Sequence, residues 1–177
     1  YISFAQRLGL TPKKPGVFIP FFYEILSAEP GEPSFNLLDI RYPALMLGNL
    51  LIHRGGTVIA MSPSEFNLEL VNRAEIYWAY SRANRAAHDL SHGWGSNSQW
   101  QTKFRFDFAC PGGFLYNSQG KIDLSLTSNF TLQKLQAHGL SLPEAKELTM
   151  YRHFITSEKE DNDLFPYDYR FFEKMHF

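Results

Sequence analysis

Thr102-Lys103-Phe104-Arg105-Phe106-Asp107-Phe108-Ala109-Cys110-Pro111-Gly112-Gly113-Phe114-Leu115-Tyr116 is the stretch that decides the fold class. Its first half alternates with the two-residue period of a strand: Phe104, Phe106 and Phe108 point one way, Lys103, Arg105 and Asp107 the other. This predicts a half-buried antiparallel strand with its phenylalanines toward a helical layer and its charges toward water. A buried ring of this kind is worth about 3–5 kcal/mol against alanine. Pro111-Gly112-Gly113 makes a turn and Phe114-Leu115-Tyr116 returns. Asn117-Ser118-Gln119-Gly120 turns again, and Lys121 to Leu126 continues the meander.

Working outward toward the C-terminus, a short helix is expected after Asn129, ending at Gly139. Ser141-Leu142-Pro143-Glu144 is a capping box, which opens a helix running to about Phe154. The acidic stretch Ser157–Asp163 reads as a solvated loop, or as a surface suited to a basic partner. The aromatic tail Leu164–Phe172 is expected to pack back onto the body.

Toward the N-terminus, Ser62-Pro63-Ser64-Glu65 has the form of another capping box. It predicts a helix to about Leu90, with a break near Asn72 as the alternative because Phe66–Leu70 also alternates. Thr57–Met61 reads as a brief buried strand, and Pro43–Arg54 as a short helix stopped by Gly55. Val17–Leu26 is rich in strand formers. Pro20 confines it to an edge strand, two short strands or an extended arm. The expected architecture is α+β: an antiparallel meander over about 102–126 with helices on one face, in a single domain spanning 1–177.

Composition narrows the function classes. The chain has 177 residues, 44% hydrophobic and 20% charged, with 16 Phe, 9 Tyr and 3 Trp, so it is a globular chain rather than a disordered one. A net charge of −1 argues against bulk electrostatic binding to nucleic acid or to anionic lipid. The longest apolar run, Pro43–Met61, is interrupted by His53, Arg54 and two glycines, so it reads as core rather than as a membrane span. A single cysteine, Cys110, excludes an internal disulfide and a multi-cysteine zinc site. The opening Tyr1–Leu10 lacks the apolar core and cleavage site of a secretory signal, from which a cytoplasmic, reducing location is expected. Arg73, Arg82, Arg85, Lys103 and Arg105 form a basic strip diluted by Glu69, Glu75, Asp89 and Asp107, which reads as a solvated face.

Two features in 88–100 bear on chemistry. His88 and His92 lie four apart at an expected helix end, the spacing of zinc peptidases with H-E-x-x-H. Asp89 stands where the general-base glutamate would be, and Ser98 where a third ligand would be. A zinc site therefore needs a ligand from afar, with His53, His138 and His153 as candidates. The plainer reading is a pair of helical histidines, one of them capping the last carbonyls. Beyond them, Trp94 and Trp100 flank Ser96-Asn97-Ser98-Gln99. Short amides and hydroxyls here satisfy local backbone in a turn while the indoles close the core. Indole beside amide is also the composition of a recognition surface, built here from His92, Trp94, Asn97, Gln99 and Trp100. No G-x-S-x-G elbow, phosphate loop or dinucleotide fingerprint occurs.

A small, near-neutral, aromatic-rich domain without a complete catalytic set resembles bacterial immunity or antitoxin-type binding proteins in composition. That resemblance implies a non-catalytic domain that binds a protein partner through the 93–100 loop, without cofactor. The rival is a zinc-dependent hydrolase using His88 and His92. A third reading is a small-molecule or carbohydrate binder with Trp94 or Trp100 stacked on the ligand.

Overall fold

The computed structural model describes residues 1–73, 105–126, 128–152, 154–156 and 169–175. Within them the fold is α+β, antiparallel-rich sheets with a few helices, as the alternating stretch predicts. A seven-stranded sheet runs β1 (Thr11–Lys13), β4 (Ala44–Leu47), β5 (Leu50–His53), β7 (Asp107–Cys110), β8 (Gly113–Tyr116), β10 (Tyr169–Lys174) and β9 (Ile122–Asp123). A three-stranded sheet places β6 (Gly55–Met61) between β2 (Tyr23–Pro30) and β3 (Asn36–Tyr42). The described helices are α1 (Ile2–Arg7), α2 (Leu68–Arg73), α3 (Asn129–Ala137) and α4 (Leu142–Tyr151).

The meander is present but interrupted. Strands β7 and β8 pair as expected, Phe108 opposite Leu115. Strand β9 does not follow β8: the aromatic tail enters as β10, antiparallel to β8 and parallel to β9. Gly113 permits this insertion, because a Cβ there would lie 2.1 Å from the carbonyl oxygen of Glu173 on β10. Helices α3 and α4 then close one core over this end, with Ile122, Leu124, Leu135, Leu148 and Tyr169 in contact. The Ser141–Glu144 capping box forms in full, the serine oxygen accepting from the Glu144 amide and the glutamate accepting from the Ser141 amide.

Three expectations are overturned. Pro43–Arg54 is not a helix but the hairpin β4–β5, with Leu47 opposite Leu50 and Gly48-Asn49 as its two-residue turn, Gly48 at φ +57°. Gly55 and Gly56 open strand β6 rather than stopping a helix, since a Cβ on Gly55 would lie 2.6 Å from the Tyr42 carbonyl oxygen. Ser62–Glu65 is a turn leading to α2 at Leu68, with the Ser62 hydroxyl paired to Ser64 and the Ser34 hydroxyl donating to Glu65. Beyond Arg73, the expected helix to Leu90 lies outside the described residues.

The fourth correction matters most. On β7 the polarity is inverted: Asp107 is buried, while Phe106 and Phe108 are only half-buried. Asp107 pairs with Leu51 and lies across from Tyr116, on the face that carries Phe21, Ala44, Met46, Leu51, Phe114 and Tyr116. Phe104 lies outside the described residues. The charged side of this strand is the inner side.

Candidate functional site

The inner side of β7 meets two other segments at the seam between the sheets. Arg54 is the single residue joining β5 to β6, and Gly55 behind it donates its amide to the Phe22 carbonyl at 2.7 Å, which turns the chain from one sheet into the other. Arg105 precedes Asp107 by two positions and so shares its face. Arg152 follows α4 in a left-handed conformation, φ +69°, its amide donating to Leu148. Three arginines from three segments therefore converge on one carboxylate.

Only one of them is well paired. Arg105 donates from Nε to both Asp107 oxygens, at 2.8 and 3.0 Å, and from Nη2 to the Thr149 carbonyl. Asn117 donates its amide to Asp107 Oδ1 at 2.7 Å. Arg54 and Arg152 stand off from Oδ2 at 3.7 and 3.8 Å, too far for a hydrogen bond. Arg54 and Asp107 have side-chain exposures of only 1% and 2%, and Arg105 of 7%, whereas Arg152 is 32% exposed. Among the described residues, Arg54 Nε, Nη1 and Nη2, Arg105 Nη1 and Arg152 Nε are buried with no hydrogen-bond partner.

Tyr116 lies against this group. The Arg54 and Arg105 guanidinium carbons stand 5.9 and 5.8 Å from its ring centroid. Its hydroxyl is already committed, donating to Glu173 Oε2 at 2.6 Å. Burial and the adjacent Glu173 carboxylate push that phenol well above its ordinary value, so it is not poised as a base.

The electrostatics are one-sided. Burial pushes Asp107 up, but Arg105, Arg152 and Arg54 outweigh it and hold the carboxyl below its ordinary value. Burial and the repulsion of Arg105 lower Arg54, against a weaker pull from Asp107. Arg152 is lowered by burial and by both other arginines. Three guanidinia face one carboxylate, and the buried atoms left without partners among the described residues are all guanidinium N–H donors, so what the group can do chemically is accept an anion.

Most residues singled out in the sequence lie outside the described residues. His88, His92, Trp94, Asn97, Gln99 and Trp100 lie outside the described residues, as do His153, the 157–163 acidic stretch, Arg82, Arg85 and Lys103. Of the remote histidines, His53 is exposed on β5, and His138 contacts the Tyr169 hydroxyl at 2.6 Å. Among the described residues no group of three or more His, Cys, Asp or Glu could hold a metal, and no helix is long and apolar enough to cross a membrane. Arg105, read as part of a solvated strip, is buried. Arg54 reads in the sequence as an interruption of an apolar run; its burial follows from its place between β5 and the fully buried strand β6, which the sequence around it does not signal.

Comparison with protein-family models, with curated proteins and with solved structures finds no match to this chain.

Proposed function

We propose that this chain is a binding domain that captures an oxyanion-bearing ligand on Arg54, Arg105 and Arg152. One observation carries the reading: the buried Arg54 guanidinium has none of its three nitrogens hydrogen-bonded among the described residues. Leaving a buried donor unmade costs about 1–3 kcal/mol, and more when it is charged. Such a group calls for an explanation, and an anionic ligand that takes up its N–H donors supplies one. Arg105, held by Asp107 and the Thr149 carbonyl, positions the cluster, and half-exposed Arg152 marks the side that meets solvent.

Titration calorimetry with inorganic phosphate, sulfate and acetate, at constant ionic strength set by chloride, tests it. Saturable binding of at least one oxyanion is expected, lost in a folded Arg54→Met variant. Absence of any oxyanion binding to the native protein overturns the reading.

A protein partner is the second reading, and a different observation favours it. Tyr1, Phe4 and Leu8 are exposed at three- and four-residue steps, on one face of α1 and its cap. Its test is partner capture by variants in which Phe4, Trp94 or Trp100 is alanine, where undiminished capture counts against it.

A further inference from the structure

We infer that the group taken by this cluster is a phosphate, free or as the monoester end of a small ligand, and not a carboxylate; this rests on the oxyanion reading above. The structure contains its own control, because Asp107 already offers the cluster a carboxylate. That planar group satisfies Arg105 and the Asn117 amide, then leaves Arg54 and Arg152 at 3.7 and 3.8 Å. Two oxygens do not serve three guanidinia entering from three segments.

Acceptor counting agrees. Five buried nitrogens lack partners among the described residues: three on Arg54, one on Arg105 and one on Arg152. An ionised carboxylate offers about four lone-pair sites in one plane. A phosphate monoester offers three strong acceptor oxygens in a tetrahedral array, so each guanidinium can meet its own oxygen.

Charge agrees as well. Among the described residues, only Asp107 is an anion within 4 Å of these guanidinia. Glu24, the other carboxylate that acts on Arg54 and Arg152, already accepts the Tyr42 hydroxyl, and Glu173 beside Tyr116 accepts the hydroxyl of that tyrosine. Three cations facing one resident anion leave room for a dianion.

Calorimetry on the whole chain separates the possibilities, using inorganic phosphate, phenyl phosphate, sulfate, acetate and benzoate at pH 8. Phosphate is expected to bind at least about tenfold more tightly than acetate, a gap of about 1.4 kcal/mol. Sulfate, of like shape, competes for the same site. Phenyl phosphate binding tightly assigns a monoester ligand, and its failure beside tight inorganic phosphate assigns the free ion. Arg152→Gln, at the partly exposed edge, should weaken phosphate about tenfold and leave acetate within about twofold. Acetate or benzoate binding as tightly as phosphate, in a manner lost with Arg54→Met, overturns the phosphate assignment and leaves the oxyanion reading standing. No binding by any of the five removes both.

Discussion

Replacing Arg54 by methionine should not destabilise the ligand-free protein, although it removes a buried side chain from the centre of the fold. The balance can be worked from the geometry. At 3.7 Å from Asp107, the attraction is about 4–5 kcal/mol with an effective dielectric constant of about 20. Contact with the Tyr116 ring adds about 0.5–2 kcal/mol. Against this stand a desolvation penalty of several kcal/mol for a buried ion and the repulsion of Arg105, which exceeds the pull of Asp107. Methionine keeps most of the volume and removes both costs, and Asp107 retains its hydrogen bonds from Arg105 and Asn117. The expected outcome is a change between zero and a gain of about 2 kcal/mol, the range found when buried ions give way to apolar residues. Urea unfolding at pH 7 in phosphate-free buffer measures it. With phosphate at about 100 times its dissociation constant, the native protein should gain about 2.7 kcal/mol and the variant nothing, which reverses their order. A loss above about 2 kcal/mol in Arg54→Met without ligand would refute the claim that this guanidinium is held at a cost.

Other changes should move stability in directions that follow from the same contacts. Asp107→Asn leaves three guanidinia without their resident anion and should cost about 3–5 kcal/mol. Because the folded carboxyl titrates below its unfolded value near 3.9, its contribution is complete above that pH and drains away as pH falls through the folded value. Acid titration of native protein followed by circular dichroism should therefore show a steeper loss below about pH 4 than Asp107→Asn shows. Phe108→Ala, on the half-buried face, should cost about 1–2 kcal/mol by chemical denaturation, short of the penalty for a fully buried ring. Ser141→Ala removes the capping-box oxygen at the start of α4 and should lower stability by about 1 kcal/mol, read as a shift in the urea midpoint.

Local signals with a mechanism transferred well, the Ser62–Glu65 box excepted. The 107–116 hairpin, α3 with Gly139 at φ +65° and the capped α4 all stand where turn glycines and caps put them. Long-range choices did not. Pro43–Arg54 has helical punctuation, yet Gly55 is there because a Cβ would collide with the backbone of Tyr42 and Ala44, a fact of β3, β4 and β6 coming together that no window of twelve residues contains. The described part of the tail does pack back, as expected, but its entry between β8 and β9 was not legible: it depends on Gly113, where a Cβ would lie 2.1 Å from the Glu173 carbonyl oxygen. In both places a glycine read as a stop or a turn serves as a clearance for a neighbouring strand.

The site escaped for a related reason. Alternation establishes that a strand has two faces and is silent about which of them is covered. Three phenylalanines against three charges make the choice look settled, because burying a charge is costly. At Asp107 that cost is met by partners 53 residues upstream and 45 downstream, Arg54 and Arg152, whose contribution cannot be weighed from the strand alone. The inversion carries its own consequence for function. Had stability been the only demand, an apolar residue at 54 would serve β6 better than a guanidinium with three unmatched nitrogens. The stability gained by Arg54→Met and the phosphate affinity lost with it are thus two readings of one feature. Finding the first without the second would make Arg54 a burden without a purpose.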